Sequence, residues 1–297
     1  MVKQLLFWLS LSSLISVAQA QVIHQERSLY RNILVEDKGD LRCLKFNVKS
    51  SKTQQSCFLK SQPQKLVFNY TKLLMASLLM MPEPKRILII GLGGGTMSNT
   101  LAQLYPNSQI ENIEIDQAVI KVARDFFGFF ENDNVKAYNQ DGRIYIKRAL
   151  LKKQQYDWII LDAFNGDYIP EHLMTKEFLQ EAKALLSENG ILSANTFSLS
   201  ELYAHESATY KAVFGHFYQV VNQDNSNRII IVNRDGFTVN SLNKNNIPKL
   251  NTQLRQYGVD IFSLYNNMSF TGTVQDWPKN TRLLTDQFSP VNLLNTQ

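Results

Sequence analysis

Lysine and arginine form no run longer than two residues in this 297-residue chain; the 31 of them are scattered against 26 acids, for a formal net charge of +5. Such a surface lacks the basic stripe of a nucleic-acid binder, so no nucleic-acid partner is expected. Histidine is scarce. His24, His172, His205 and His216 stand at no ligand spacing from one another or from cysteine, and no metal site is expected. Beyond residue 20 no apolar run reaches the roughly 20 residues that a membrane-spanning helix requires. No internal repeat is visible. With 44% apolar and 19% charged residues, the rest is an ordinary globular composition, long enough to bury a sizeable core.

The first 20 residues stand apart. Lys3 precedes an apolar stretch from Leu5 to Val17, and Ala18-Gln19-Ala20 follows. A short basic start, an apolar stretch of about 7–15 residues and an A-x-A end describe a secretory signal. The expectation is export, to a periplasm or the outside, with an uncleaved anchor as the alternative. No cysteine follows Ala20 to accept a lipid. In an exported chain the two cysteines, Cys43 and Cys57, are a disulfide candidate. Closing that loop would stabilise by about 3 kcal/mol in the chain-entropy account. Otherwise they are two separate buried thiols.

The most informative stretch runs from Arg86 to Asp141. Ile87-Leu88-Ile89-Ile90 enters a glycine-rich turn, Gly91-Leu92-Gly93-Gly94-Gly95; Glu114 follows 19 positions after Gly95, and Asp141-Gly142 comes one unit later. A strand, a tight loop, a helix and a second strand ending in a carboxylate make a nucleotide-binding half-fold. Glycine lets the backbone approach a ligand where a Cβ would clash. The helix that follows starts with unpaired N–H groups. A carboxylate about 20 residues on can accept hydrogen bonds from both ribose hydroxyls. The dehydrogenase pattern G-x-G-x-x-G is not met, since Thr96 stands at the third glycine.

Around that stretch the chain divides into a signal segment (1–20), a small antiparallel β domain (21–66), a nucleotide-binding α/β domain (67–235) and a polar, Asn-rich C-terminal extension (236–297). A hairpin-like turn at Asp37-Lys38-Gly39-Asp40 marks the β unit, and Val67 to Met81 carries helical spacing up to Pro82. From Ile87 to Asn233 strands alternate with helices. The strands are Ile87–Ile90, Gln109–Ile115, Val135–Tyr138, Trp158–Asp162, Gly190–Thr196 and Arg228–Val232. The expected fold is α/β, a mostly parallel sheet covered by helices on both faces. Asn189-Gly190 reads as a helix stop, and Ile247–Tyr257 as a further helix.

Gly91–Gly95 with Glu114 and Asp141-Gly142 resembles the Rossmann-like class I methyltransferase fold, which binds S-adenosylmethionine and its relatives. Further motifs narrow this. Phe68-Asn69-Tyr70, Ile113-Glu114-Ile115-Asp116, Asp141-Gly142 and the strand Tyr156–Asp162 are similar to the spermidine synthase (polyamine aminopropyltransferase) family, over roughly residues 26–235. Asp162-Ala163-Phe164-Asn165-Gly166-Asp167-Tyr168-Ile169-Pro170 and the later Thr285–Val291 resemble a spermidine-synthase-like branch of it.

The resemblance implies a transferase that moves an aminopropyl group from decarboxylated S-adenosylmethionine, a sulfonium nucleoside, to a polyamine or other small amine. Asp162 would accept the amine's proton. Glu114 would hold the ribose, Asp141 and Gly142 the adenine side, and Gly91, Gly93 and Gly95 would shape the loop. Tyr70, Asn165, Asp167 and Tyr168 would line the amine pocket. A homo-oligomer through the N-terminal β domain is also implied. Each residue has a plainer reading: Asp162 and Asp141 as caps, Glu114 as a surface acid, the tyrosines as packing aromatics, His172 as a helix-start residue. Three positions depart from the family. Gly94 replaces its loop Asp, Asn165 its second catalytic-loop Asp, and Thr71 the Gln after Tyr70. Two anionic contacts are thereby lost, each worth about 1.5–3 kcal/mol when buried. These losses leave two alternatives: a methyltransferase using S-adenosylmethionine itself, and a non-catalytic exported protein binding a polyamine or nucleoside.

Overall fold

The computed structural model describes residues 19–46, 54–164, 168–221 and 227–294. Most of the signal segment, and Asn165 and Asp167, lie outside the described residues.

Strands β1 (Gln21–Arg27), β2 (Asn32–Lys38), β3 (Leu41–Phe46) and β4 (Gln54–Leu59) form an antiparallel sheet in sequence order. Gly39, at a φ of 60°, makes the tight turn between Lys38 and its partner Leu41. Cys43 faces Cys57 directly across β3 and β4, and the two are disulfide-bonded. One face of this sheet is apolar for a reason of packing. Ile33, Val35, Leu44 and Phe46 bury themselves against Val119, Val122 and Phe127, which belong to a helix of the larger unit.

That larger unit is built on an eight-stranded sheet. Its strands are β5 (Arg86–Ile90), β6 (Gln109–Glu114), β7 (Val135–Asn139), β8 (Tyr156–Leu161), β9 (Leu186–Phe197), β10 (Tyr218–Val221), β11 (Asn227–Asn233) and β12 (Met268–Phe270). The spatial order is β12-β10-β11-β9-β8-β5-β6-β7. From β7 to β9 neighbours run parallel, and the remaining three strands are antiparallel. Central strands read as unbroken apolar runs because both faces are covered; Ile87 to Ile90 and Trp158 to Ile160 are at most 2% exposed.

The helices are α1 (Asn69–Leu74), α2 (Thr96–Leu104), α3 (Gln117–Phe127), α4 (Gly142–Leu151), α5 (Lys176–Ala184), α6 (Leu202–Phe214), α7 (Ile247–Leu254), α8 (Ile261–Asn266) and α9 (Val291–Leu294). Their starts follow local chemistry. The side chains of Asp116, Asp141 and Thr175 cap α3, α4 and α5 by accepting the N–H groups of Ala118, Ile144 and Phe178.

Three expectations are corrected. The helix expected over 67–81 is α1 followed by a 3-10 turn, Met75–Leu79, because the N–H groups of Met80 and Met81 both reach Ser77 O. Asn189-Gly190 is no helix stop. It lies inside β9, where Gly190 is pressed against the Tyr156 carbonyl, so that a Cβ would stand 2.8 Å from that oxygen. The C-terminal segment is no peripheral extension. β12 completes the sheet edge, Leu250, Leu254 and Ile261 join one core cluster, and Trp277, Leu284 and Val291 join the other.

Candidate active site

Strand order reverses at β5. β6 lies on one side of it and β8 on the other, and ligands of open parallel sheets bind outside the carboxyl ends at such a point. Here the chain opens a cavity of about 830 Å3. Gly91 leaves the end of β5 and Asp162 the end of β8. The Asp162 N–H donates to Ile90 O at 2.8 Å, and the Gly91 N–H donates to Ile113 O at 2.8 Å. At a φ of +97°, Gly91 presses so close that a Cβ would stand 2.3 Å from the Asp162 carbonyl oxygen. Only glycine fits there.

Glu114 ends β6 and turns back under the loop. Its Oε2 accepts the Leu92 N–H and its Oε1 the Asp116 N–H, both at 3.1 Å. Burial pushes its carboxyl up, against the opposing pull of those two N–H donors and of Arg31. Each oxygen keeps lone-pair capacity toward the cavity, which suits hydroxyl donors. Asp141 holds α4 through Oδ1 while its Oδ2 meets His172 Nε2 at 2.8 Å, and that bond lowers its pKa.

Asp162 sits on the cavity wall with two neutral partners. Asn195 Nδ2 donates to its Oδ1 at 2.9 Å, and the Tyr70 hydroxyl also hydrogen-bonds it. Burial outweighs both and pushes Asp162 up to about 7. Asn195 is held in turn, since its Oδ1 accepts from Asn227 Nδ2 at 2.9 Å. The Tyr70 hydroxyl is pushed well above its ordinary value by burial and by Asp162, and so remains a donor.

The N-terminal β unit supplies the facing wall, through Phe46 and Ser56 on its strands and Arg31 in the β1–β2 connection, among others. The Arg31 guanidinium lies 4.3 Å over the Phe46 ring, donates to Phe164 O at 3.4 Å and has Nε 3.7 Å from Asp116. Ser56 and Phe127 explain Gly94. A Cβ there would stand 2.7 Å from Ser56 Oγ and 3.0 Å from the Phe127 ring, so an acidic side chain has no room unless both move.

Residues 67–222 of this chain match the family described as the spermine/spermidine synthase domain. The chain belongs to the spermine/spermidine synthase family. A polyamine aminopropyltransferase of Vibrio vulnificus (strain CMCP6) is 45% identical over 287 residues, covering 96% of this chain and 95% of its own length. A probable spermidine synthase from Corynebacterium glutamicum shares the fold with a TM-score of 0.71 at 21% identity, over 91% of this chain and 99% of its own. A spermidine synthase solved with the transition-state analogue AdoDATO gives 0.60 at 20% identity, over 82% and 86%.

In this family member the cavity brings together Tyr70, Gly91, Gly93, Glu114, Asp141, Gly142 and Asp162. Gly95 does not line it; at a φ of +75° it packs under Phe129 and opens α2. Tyr168 packs against the core cluster on one face of the sheet instead of lining the cavity. Among the described residues no group of His, Cys, Asp and Glu could hold a metal, and no helix is long and apolar enough to cross a membrane. Sequence reasoning overlooked Arg31, Asn195 and Asn227, and gave His172 no place at the site. For Asn195 a signal existed: an amide inside the apolar run of a central strand demands a partner.

Proposed function

We propose that this protein transfers a 3-aminopropyl group from decarboxylated S-adenosylmethionine to a small amine or polyamine. The observation that carries the proposal is Asp162: a carboxylate poised near neutrality at the end of β8, beside a glycine loop, with Tyr70 and Asn195 on it. A base for an amine works best when its own pKa is near the working pH. The nitrogen of the acceptor attacks the propyl carbon next to the sulfonium. The new C–N bond forms as the C–S bond breaks, methylthioadenosine leaves with a neutral sulfur, and the proton of the attacking nitrogen passes to Asp162. Positioning does most of the work, since the sulfonium is already a good leaving group.

The residues fit a nucleoside. Gly91 and Gly93 bring bare backbone to the cavity wall, and Glu114 offers two carboxylate oxygens at the end of β6. On this reading Glu114 holds the ribose, Asp141 the adenine amine, and Tyr70, with Asn165 or Asp167, the acceptor.

One observation favours a second reading, methyl transfer from S-adenosylmethionine. Gly94 has no room for an acid that would meet the donor's ammonium, while Arg31 brings a cation that suits the carboxylate which decarboxylation removes. Calorimetric titration with decarboxylated S-adenosylmethionine, S-adenosylmethionine and methylthioadenosine separates the two. Preference for the decarboxylated donor, followed by product formation with a diamine, supports aminopropyl transfer. Preference for S-adenosylmethionine moves the assignment to methyl transfer, and binding of none of the three rejects both.

We also propose that the chain is exported. The pattern of residues 1–20 and the Cys43–Cys57 disulfide both suit an oxidising compartment. Self-association through the N-terminal sheet is part of the same proposal, with β1 at the edge of that sheet among the described residues. The amino terminus of protein recovered from cell fractions tests export: a mature start after Ala20 outside the cytoplasm supports it. Light scattering tests the assembly, and a monomer would reject it.

A further inference from the structure

The segment Thr285–Val291 is far in sequence from every residue assigned above. It is nevertheless a closely braced turn. Thr285 and Phe288 exchange both backbone hydrogen bonds, at 2.8 and 2.9 Å, and Leu284 and Val291 anchor the two sides with no exposed surface. The tight turn presents Asp286.

Asp286 meets Arg143 in a two-pronged pair, with Nη1 2.7 Å from Oδ1 and Nη2 2.8 Å from Oδ2. Arg143 is gripped on its other edge by Glu181, through two bonds of 3.0 Å. Such forked pairs fix direction as well as energy. Arg143 follows Asp141-Gly142 immediately, and its Nη1 also donates to His172 O at 3.4 Å. Asp286 Oδ1 accepts from Thr175 Oγ1 at 2.7 Å, and the Asp286 N–H donates to Glu177 at 3.0 Å. Two more bonds tie the same pair of segments. Lys176 N–H donates to Leu284 O at 2.8 Å, and Ser289 Oγ donates to Glu171 O at 3.1 Å.

All these bonds fall on residues 171–177 or on Arg143. Pro170, His172 and Leu173, at the start of that turn, line the cavity, and His172 is the residue whose Nε2 rests on Asp141. A brace serving stability alone has no reason to converge on the two segments that flank one binding carboxylate.

We propose that Asp286 is a positioning residue of the donor site: through Arg143 and Thr175 it holds the His172 turn and the start of α4, and so aims Asp141 at the adenine end of the cavity. This rests on the reading that the cavity takes a nucleoside with Asp141 on its adenine side. Asp286 does not line the cavity, so its loss acts on donor binding and spares the chemistry at Asp162.

The test uses the full chain with Asp286→Asn, Asp286→Glu and Arg143→Lys. Asp286→Asn keeps the shape and removes the fork. It is expected to weaken methylthioadenosine binding and raise the KM for decarboxylated S-adenosylmethionine by about tenfold, with kcat within about twofold and the KM for a diamine unchanged. Asp286→Glu restores most of the donor affinity, and Arg143→Lys, which keeps a cation for Glu181, mimics the loss. A lowered Tm with unchanged donor binding would make Asp286 a fold clasp and overturn the proposal. Hydrogen exchange at the Ile144 amide, which Asp141 accepts, gives a readout without ligand. Faster exchange in Asp286→Asn supports the brace, and unchanged exchange overturns it. If the wild-type chain binds no sulfonium nucleoside or methylthioadenosine, the functional reading fails, while exchange still decides the coupling.

Discussion

Asn195 Nδ2 holds Oδ1 of Asp162 at 2.9 Å, and Asn227 holds Asn195 at the same distance. A neutral amide thus stabilises the ionised carboxylate without cancelling its charge. Asp162 stays within reach of neutral pH although it is buried, where a cation in the same place would drive it far lower. The base is tuned by two amides and a phenol.

Catalysis should therefore depend on pH through Asp162. Its reactive form is the carboxylate, so kcat/KM for aminopropyl transfer rises with pH and levels off above about 7. Asp162→Asn should lower kcat by roughly 10²–10⁴-fold, the scale of a lost general base, and remove the rise. A pH–rate profile that stays flat from 5 to 9 (about two decades of proton activity either side of 7) would contradict this assignment.

Asn195→Ala and Tyr70→Phe each remove a donor to the carboxylate. The folded pKa of Asp162 should climb by about one pH unit in either variant, the scale of a hydrogen bond to a charged group. The rising limb of the rate profile then moves to higher pH. A limb that stays in place while the maximal rate falls would mean that these residues only shape the pocket.

The same carboxyl bears on stability, with a sign opposite to that of a salt-bridged acid. Its folded pKa is raised, so between the unfolded value and about 7 the folded state holds a proton that the unfolded state has released. That group's contribution falls as pH rises through this window. Asp162→Asn should accordingly be more stable than wild type at pH 8, by on the order of 2–4 kcal/mol, with the difference fading toward pH 4. Urea unfolding of both proteins at the two pH values measures it, and equal differences at both would refute it.

Gly91→Ala places a Cβ against the Asp162 backbone at a φ that alanine disfavours. A loss of at least about 2 kcal/mol in folding stability is expected, together with loss of donor binding. Thermal unfolding and titration with methylthioadenosine report the two effects separately.

Reduction of the Cys43–Cys57 bond should lower stability by about 2–4 kcal/mol, read as a shift in denaturation midpoint with and without reductant. Phe46 and Ser56 stand on the two strands that this bond staples, and Arg31 rests over the Phe46 ring. Donor affinity should therefore fall alongside stability, and Cys43→Ala with Cys57→Ala should reproduce both losses without reductant.

The amino-acid sequence by itself determined the α/β alternation, the glycine loop, the order Glu114, Asp141, Asp162 along the chain, and the pair of cysteines. These are legible because each is a local demand. A backbone at positive φ calls for glycine, a strand covered on both faces calls for an apolar run, and a strand end at the carboxyl edge carries an acid. The expected strands Ile87–Ile90, Gln109–Ile115 and Val135–Tyr138 fall within one residue of β5, β6 and β7 at each end. Tertiary structure alone decided the rest. Arg31 reaches the site from the β1–β2 connection, Asn195 meets Asp162 and is met by Asn227 across neighbouring strands, and Asp286 closes on Arg143 from 143 positions away. It also decided that Gly94 is crowded by Ser56 and Phe127, and that the polar C-terminal segment completes a sheet and two core clusters. No residue's own preference encodes such pairings. They exist only once long-range burial has brought the partners within hydrogen-bonding distance, and the short strands β10 and β12 owe their place to that same packing.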